Sequence, residues 1–239
     1  MTYQQYQPPM DDPDYPAAQG PFTVWSQVFT KPGEQTFVKI TEHPDAKAKA
    51  AYIWIFIVGT LSGLINTLIQ FIITAASGQV APQFGNLPGY GVGWLIGVLC
   101  AAPLTGLFAV IGFAISTSIV HATARFFGGQ GTFDKLAYAF GAIAVPVSLV
   151  SALMVPLNVL PFAVYCTVPV ALALSIYSLF LEVAAIKAVH RFGWGEAAAA
   201  LFLPLILLGL LCGVLFLLVM RAAGPSINEI LRQIQQGLP

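Results

Sequence analysis

The chain has 239 residues, zero formal net charge, 57% hydrophobic and 8% charged residues, and a mean hydropathy of +0.80. A soluble domain carries roughly 25% charged residues, so this composition excludes a water-soluble globular protein and makes lipid the solvent. Zero net charge leaves no case for nucleic-acid binding, and Cys100, Cys166 and Cys212 stand singly in apolar runs without metal or redox spacing, which reads them as buried small hydrophobes.

Residues Met1 to Pro21 are rich in Gln, Pro, Tyr and Asp, have little to bury, and are expected to form a disordered cytoplasmic tail. They lack the basic and apolar regions of a signal peptide. The stretch 22–49 is amphipathic. Val24, Trp25, Val28 and Phe29 share one helical face, Lys31-Pro32 ends that turn, and Phe37 and Ile40 are the apolar positions of a second short segment. Trp and Phe beside Lys suit the headgroup layer, and the same face suits packing on a helix bundle; the sequence leaves both open.

Charge spacing counts the spans. No Asp, Glu, Lys or Arg occurs from Ala50 to Ala124, from Leu136 to Leu181, or from Ala197 to Met220. A spanning helix needs about 20 apolar residues, so these runs hold two, two and one spans. Lipid offers no partner to loose backbone N–H groups, and nothing alternates with the period of a barrel strand. The predicted fold is all-α, a polytopic bundle of five transmembrane helices over 50–220 with a short amphipathic N-terminal segment.

His43-Pro44-Asp45 is expected to start the first long helix, since Pro and an acid suit a helix N-terminus. In the first span, roughly Ala51 to Ala75, Ser62, Asn66 and Gln70 fall on one face and are expected to face another helix, because unpaired amides are costly in hydrocarbon. Ser77 to Gly93 reads as a loop. The second span runs from about Trp94 to Thr123. Gly93, Gly97, Ala101 and Thr105 recur every four residues for close helix approach, and Pro103 is expected to kink the helix. A re-entrant segment at Pro103 is the alternative.

Between the second and third spans lies Phe127-Gly128-Gly129-Gln130-Gly131-Thr132-Phe133, bracketed by Arg125 and Lys135. Gly128, Gly129 and Gly131 permit positive φ in a tight turn, and Thr132 is an N-cap candidate. The third span is about Leu136 to Met154, followed by a short turn bounded by Pro156 and Pro161. The fourth is about Phe162 to Ile186, with Glu182, Lys187, His190 and Arg191 marking a water-exposed end. The fifth, Ala197 to Met220, is interrupted by Pro204. In the tail, 221–239, Ser226 and Glu229 have capping-box spacing ahead of a short amphipathic helix. With five spans, Lys31, Lys39, Lys47, Lys49, Arg125, Lys135, Lys187 and Arg191 share one side, against Arg221 and Arg232. The positive-inside rule then puts the N-terminus in the cytoplasm and the C-terminus outside.

With these pieces in view, the chain resembles the Yip family, five-span membrane proteins with a cytoplasmic N-terminal region, whose eukaryotic members are named for interacting with Ypt/Rab GTPases. The resemblance covers roughly Phe22 to Met220 and rests on Trp25…Thr30-Lys31-Pro32-Gly33-Glu34…Phe37, the Phe127–Phe133 hairpin, and the Leu181–Gly195 turn into the last span. Eukaryotic trafficking members carry an Asp-Leu-Tyr-Gly-Pro motif before the first span. This chain has no such run, which points to a prokaryotic relative in a bacterial or archaeal cell membrane rather than in the ER or Golgi. For such relatives the family implies a fold and a location without a settled activity.

Three functions compete. The first is a non-enzymatic adaptor or membrane-organising factor of trafficking type. It would contact lipid, protein partners at the cytoplasmic face, and a homo-oligomer if one forms; Trp25, Pro32, Phe37, Asn66, Gln70, Gly128, Gly129, Gly131 and Phe133 are its candidate interaction or packing residues. The second is a small transporter or channel subunit for an uncharged solute. Every charged side chain reads as lying at or beyond a span end, which argues against ion coupling. The third is an intramembrane enzyme. No Ser/His/Asp cluster, metal-ligand spacing or paired carboxylates are present, His121 with Glu182 being the nearest pairing. No cofactor is implied.

Overall fold

The computed structural model describes residues 20–76, 90–159 and 162–236, and the side chains of 20–73, 96–157 and 162–221. Its described residues form seven α-helices and no strand: α1 Pro21–Thr30, α2 Glu34–Thr41, α3 Ala48–Ala76, α4 Tyr90–Phe126, α5 Phe133–Met154, α6 Val164–His190 and α7 Trp194–Gln236, with a 3-10 turn at Pro156–Val159. Helices α3 to α7 are each long and apolar enough to cross a membrane, matching the five spans. Of the expected disordered tail, Met1 to Pro21, all but Gly20 and Pro21 lies outside the described residues, as does most of the Ser77–Gly93 loop. Pro21 is the first residue of α1, where its missing N–H costs nothing.

Helices α1 and α2 turn the apolar faces of 22–49 toward the other helices. They pack on the bundle: Val24, Val28, Phe37 and Ile40 are buried in one core with Leu136, Ile143, Leu181 and Ile186. Trp25 stands edge-on to Trp54 of α3, with ring centroids 5.6 Å apart. The Tyr177 hydroxyl of α6 donates to the Phe29 carbonyl at 2.7 Å, joining the last turn of α1 to the fourth span.

The first span starts later than the sequence suggests. His43 and Asp45 fold onto each other, 3.5 Å apart, in a turn, and α3 begins at Ala48. The Ala48 N–H donates to Oδ1 of Asp134 at 3.1 Å. A carboxylate from the start of α5 thus satisfies an end group that a helix cannot satisfy itself.

The polar stripe on α3 is also corrected. Asn66 and Gln70 are exposed on the bundle surface, and the Asn66 amide donates to Ser62 O of its own helix at 2.9 Å. The face turned to α4 carries two glycines, with Phe56 and Thr60 beside them. A Cβ at Gly59 would lie 2.9 Å from the Ala109 Cβ, and one at Gly63 would lie 2.8 Å from the Thr105 Cβ. Hydrocarbon gives helices no hydrophobic reason to associate, so the closest contact falls where small residues let backbones approach. Of the four-residue repeat on α4, Thr105 is in this seam and Gly97 meets nothing.

Prolines do not divide the spans. Helix α4 continues through Pro103, which rules out the re-entrant alternative, and α7 runs unbroken through Pro204 and Pro225 to Gln236. Ser226 therefore caps no separate tail helix. Local adjustments within a membrane helix re-satisfy the carbonyl that proline leaves free. The three cysteines are free and exposed on the outer faces of their helices rather than buried.

Candidate interaction site at the hairpin end

The two inter-span hairpins and the N-terminal helices meet at one end of the bundle. Gly128 adopts a positive φ of 88° and turns the chain. Its neighbours do something else: a Cβ at Gly129 would lie 2.5 Å from His190 Nδ1, and one at Gly131 would lie 2.6 Å from the Val189 carbonyl. These two glycines serve close approach rather than the turn. The Gly131 N–H donates to His190 Nδ1 at 3.2 Å and the Gln130 N–H reaches the His190 carbonyl at 3.5 Å, so the first hairpin is latched to the last residue of α6. Thr132 caps α5 by accepting from the Lys135 N–H at 3.5 Å.

His190 is 1% exposed, not the water-exposed residue the sequence suggests. Its ring stacks on Phe192 at 5.6 Å and faces His121 at 5.3 Å, and His121 stands edge-on to Phe133 at 5.8 Å. Because Nδ1 accepts a hydrogen bond, the ring carries its proton on Nε2. Nε2 of His190 and Nδ1 of His121 have no hydrogen-bond partner among the described residues. Among those residues no three His, Cys, Asp or Glu lie close enough to hold a metal ion.

The second hairpin carries the charged contacts. Lys187 pairs with Glu34 of α2 and lies over the Trp194 ring, 4.7 Å from its centroid. The Gly193 N–H donates to the Glu196 carboxylate at 2.6 Å, which stops the chain before α7. Around this end Phe126 is 84% exposed and Trp194 48%.

Of the candidate residues, the structure brings Gly129, Gly131 and Phe133 together around His121 and His190, with Gly128 at the turn. Phe37 is buried in the adjoining core, Trp25 is half-buried and Pro32 is exposed between α1 and α2. Asn66 and Gln70 lie elsewhere, on the outer side of α3. His190, Asp134 and the Gly59–Gly63 seam were missed. The seam was visible as G-x-x-x-G in an apolar span; His190 had no local signal, because its partner is 59 positions away in the chain.

Neither a curated protein nor a solved structure matched the chain. A family model for the Yip1 domain matches residues 26–217, from the middle of α1 to the exposed part of α7, and so takes in both hairpins, the His190 latch and all five spans. With most of its length matched, the chain belongs to the Yip1 domain family of integral membrane proteins.

Proposed function

We propose that the chain is a non-enzymatic adaptor or membrane-organising factor whose hairpin end is its contact surface. The observation that carries this reading is the docking of α2 beside the two hairpins, where Phe126 and Trp194 stay exposed on an ordered surface. Exposed aromatics on ordered scaffolds are favoured anchors for partners. Ion-coupled transport places ionisable groups at mid-membrane. Here Glu182 reaches deepest, roughly two turns inside the end of α6, a correction to the expectation that every charge lies at or beyond a span end. Self-association through α3 belongs to the same reading. Asn66 is exposed among apolar neighbours, and an amide carries both donor and acceptor for a second copy.

A photo-crosslinker at Phe126 in the native membrane is expected to give a discrete protein adduct, and one at Leu217 only lipid. Lipid alone at both positions, or proton-gradient-driven solute uptake by purified protein in liposomes, would overturn the reading. The proposal places this surface in the cytoplasm. Single cysteines at Gln130 and Gln235, in a background without the three native ones, test that on intact cells with an impermeant thiol reagent. Labelling at 235 and protection at 130 are expected; the reverse pattern inverts the orientation.

A further inference from the structure

The cleft between α2 and the ends of α5 and α6 holds two cations without partners. Glu34, Val38 and Glu42 line it from α2, and Lys135, Arg191 and Phe192 line it from the two hairpins, around a volume of about 310 Å3. That volume is at the small end of ligand pockets, which run from roughly 300 Å3 upward. Both acids are already engaged: Glu34 pairs with Lys187, and Glu42 has a partner of its own. The side chains of Lys135 and Arg191 form no ion pair or hydrogen bond among the described residues, and Lys135 is half-buried. The charge left over on the walls is therefore positive. Two like charges that share one cleft repel each other, and an anion between them turns that repulsion into attraction.

Three further features narrow the ligand. Lys135 is in the first turn of α5 and Arg191 directly follows α6, so both cations sit where spans end, at the level of lipid headgroups. Val38 and Phe192 put apolar wall beside the charges, which suits the carbon skeleton of an ester rather than a bare hydrated ion. Arg191 also holds the left-handed conformation, φ 58° and ψ 45°, just past the helix end. Glycine is the usual residue there, because a Cβ is strained in that geometry, so the guanidinium stands at the cleft against the preference of its own backbone. We propose that this cleft binds an anionic phosphate ester without an amine, its phosphate oxygens held by Lys135 and Arg191. An anionic phospholipid headgroup and a soluble phosphate ester share that chemistry. Two cations suit the phosphate oxygens. With both acids engaged, an ammonium on the ligand adds only repulsion from those cations, so a zwitterionic headgroup is held less well.

The test is native mass spectrometry of the purified full chain in detergent. The probes are phosphatidylglycerol, phosphatidylethanolamine and phosphatidylcholine with the same acyl chains. The wild type is expected to retain phosphatidylglycerol about tenfold better than the other two. Lys135→Gln and Arg191→Gly each reduce that retention about tenfold, to the level of the zwitterionic lipids. Arg221→Gln, at the opposite end of the fifth span, keeps the wild-type preference. Arg191→Gly separates binding from folding: it removes backbone strain, so the melting temperature holds or rises while retention falls. Soluble glycerol 3-phosphate distinguishes the source. Competition at millimolar concentration assigns a free ester, and lack of competition assigns the lipid. Equal retention of all three lipids by the wild type overturns the proposal, as does unchanged retention in Lys135→Gln and Arg191→Gly. An equal loss in Arg221→Gln also overturns it, because the preference would then be a general attraction of cations for anionic lipid.

Discussion

The hairpin end and the far end of this bundle are both built from apolar sequence and pack in opposite ways. In α5, 56% of the most apolar stretch is buried inside the protein; in α7, the most apolar of the five spans, none is. Every residue from Leu205 to Met220 is exposed, whereas Ala197, Ala200 and Leu201 at the start of the same helix are buried. The difference follows from the solvent. Near the membrane surface, apolar side chains that stay apart meet water and headgroups, so burial by α1, α2 and the hairpins is favourable. Deeper in, lipid is as apolar as leucine, and helices gain from contact only where shape or hydrogen bonding is good. Hydropathy thus measures the fit to lipid and is silent on burial within the protein.

The comparison predicts paired substitutions with unequal effects. The largest is expected for Leu136→Ala, which leaves a cavity among fully buried neighbours and costs about 2–5 kcal/mol. The same change at exposed Leu217 stays within about 0.5 kcal/mol. Thermal unfolding of the detergent-solubilised protein, read by size exclusion, checks both; equal losses would break the contrast. Next comes Gly131→Ala, whose new methyl group meets Val189 backbone and costs about 1–3 kcal/mol. Gly213→Ala meets nothing within 4 Å and is neutral or slightly stabilising. The smallest effect sharpens the far end. If a second copy covers α3 there, Asn66→Ala weakens dimerisation in liposomes by about 0.6 kcal/mol, roughly threefold, read by energy transfer between labelled copies. Folding stability stays unchanged. Dimerisation equal to wild type would leave that edge of α3 facing lipid alone.

Particular residues mark what was readable. Thr132 was identified as a cap because its partner N–H lies three residues away. The α1 face was read from Val24 and Val28 because helical period alone places them together. A shared helical face and the cost of an unpaired amide point Asn66 and Gln70 at a helix contact, yet neither says which helix supplies the partner. Gly129 and Gly131 were read as turn residues because nothing local reveals that Val189 and His190 would stand against them.

The sequence by itself determined the number of spans, their helical state, the short N-terminal helices and the hairpins that join the spans. Each follows from hydrogen-bonding need, helical period or charge spacing within a few turns of chain. Only the tertiary structure decided that α1 and α2 dock on the bundle, that Asp134 caps α3, that Gly59 and Gly63 form the α3–α4 seam, and that His190 latches the first hairpin. Those contacts join residues far apart in the chain by shape and by single hydrogen bonds, and neither hydropathy nor periodicity carries that information.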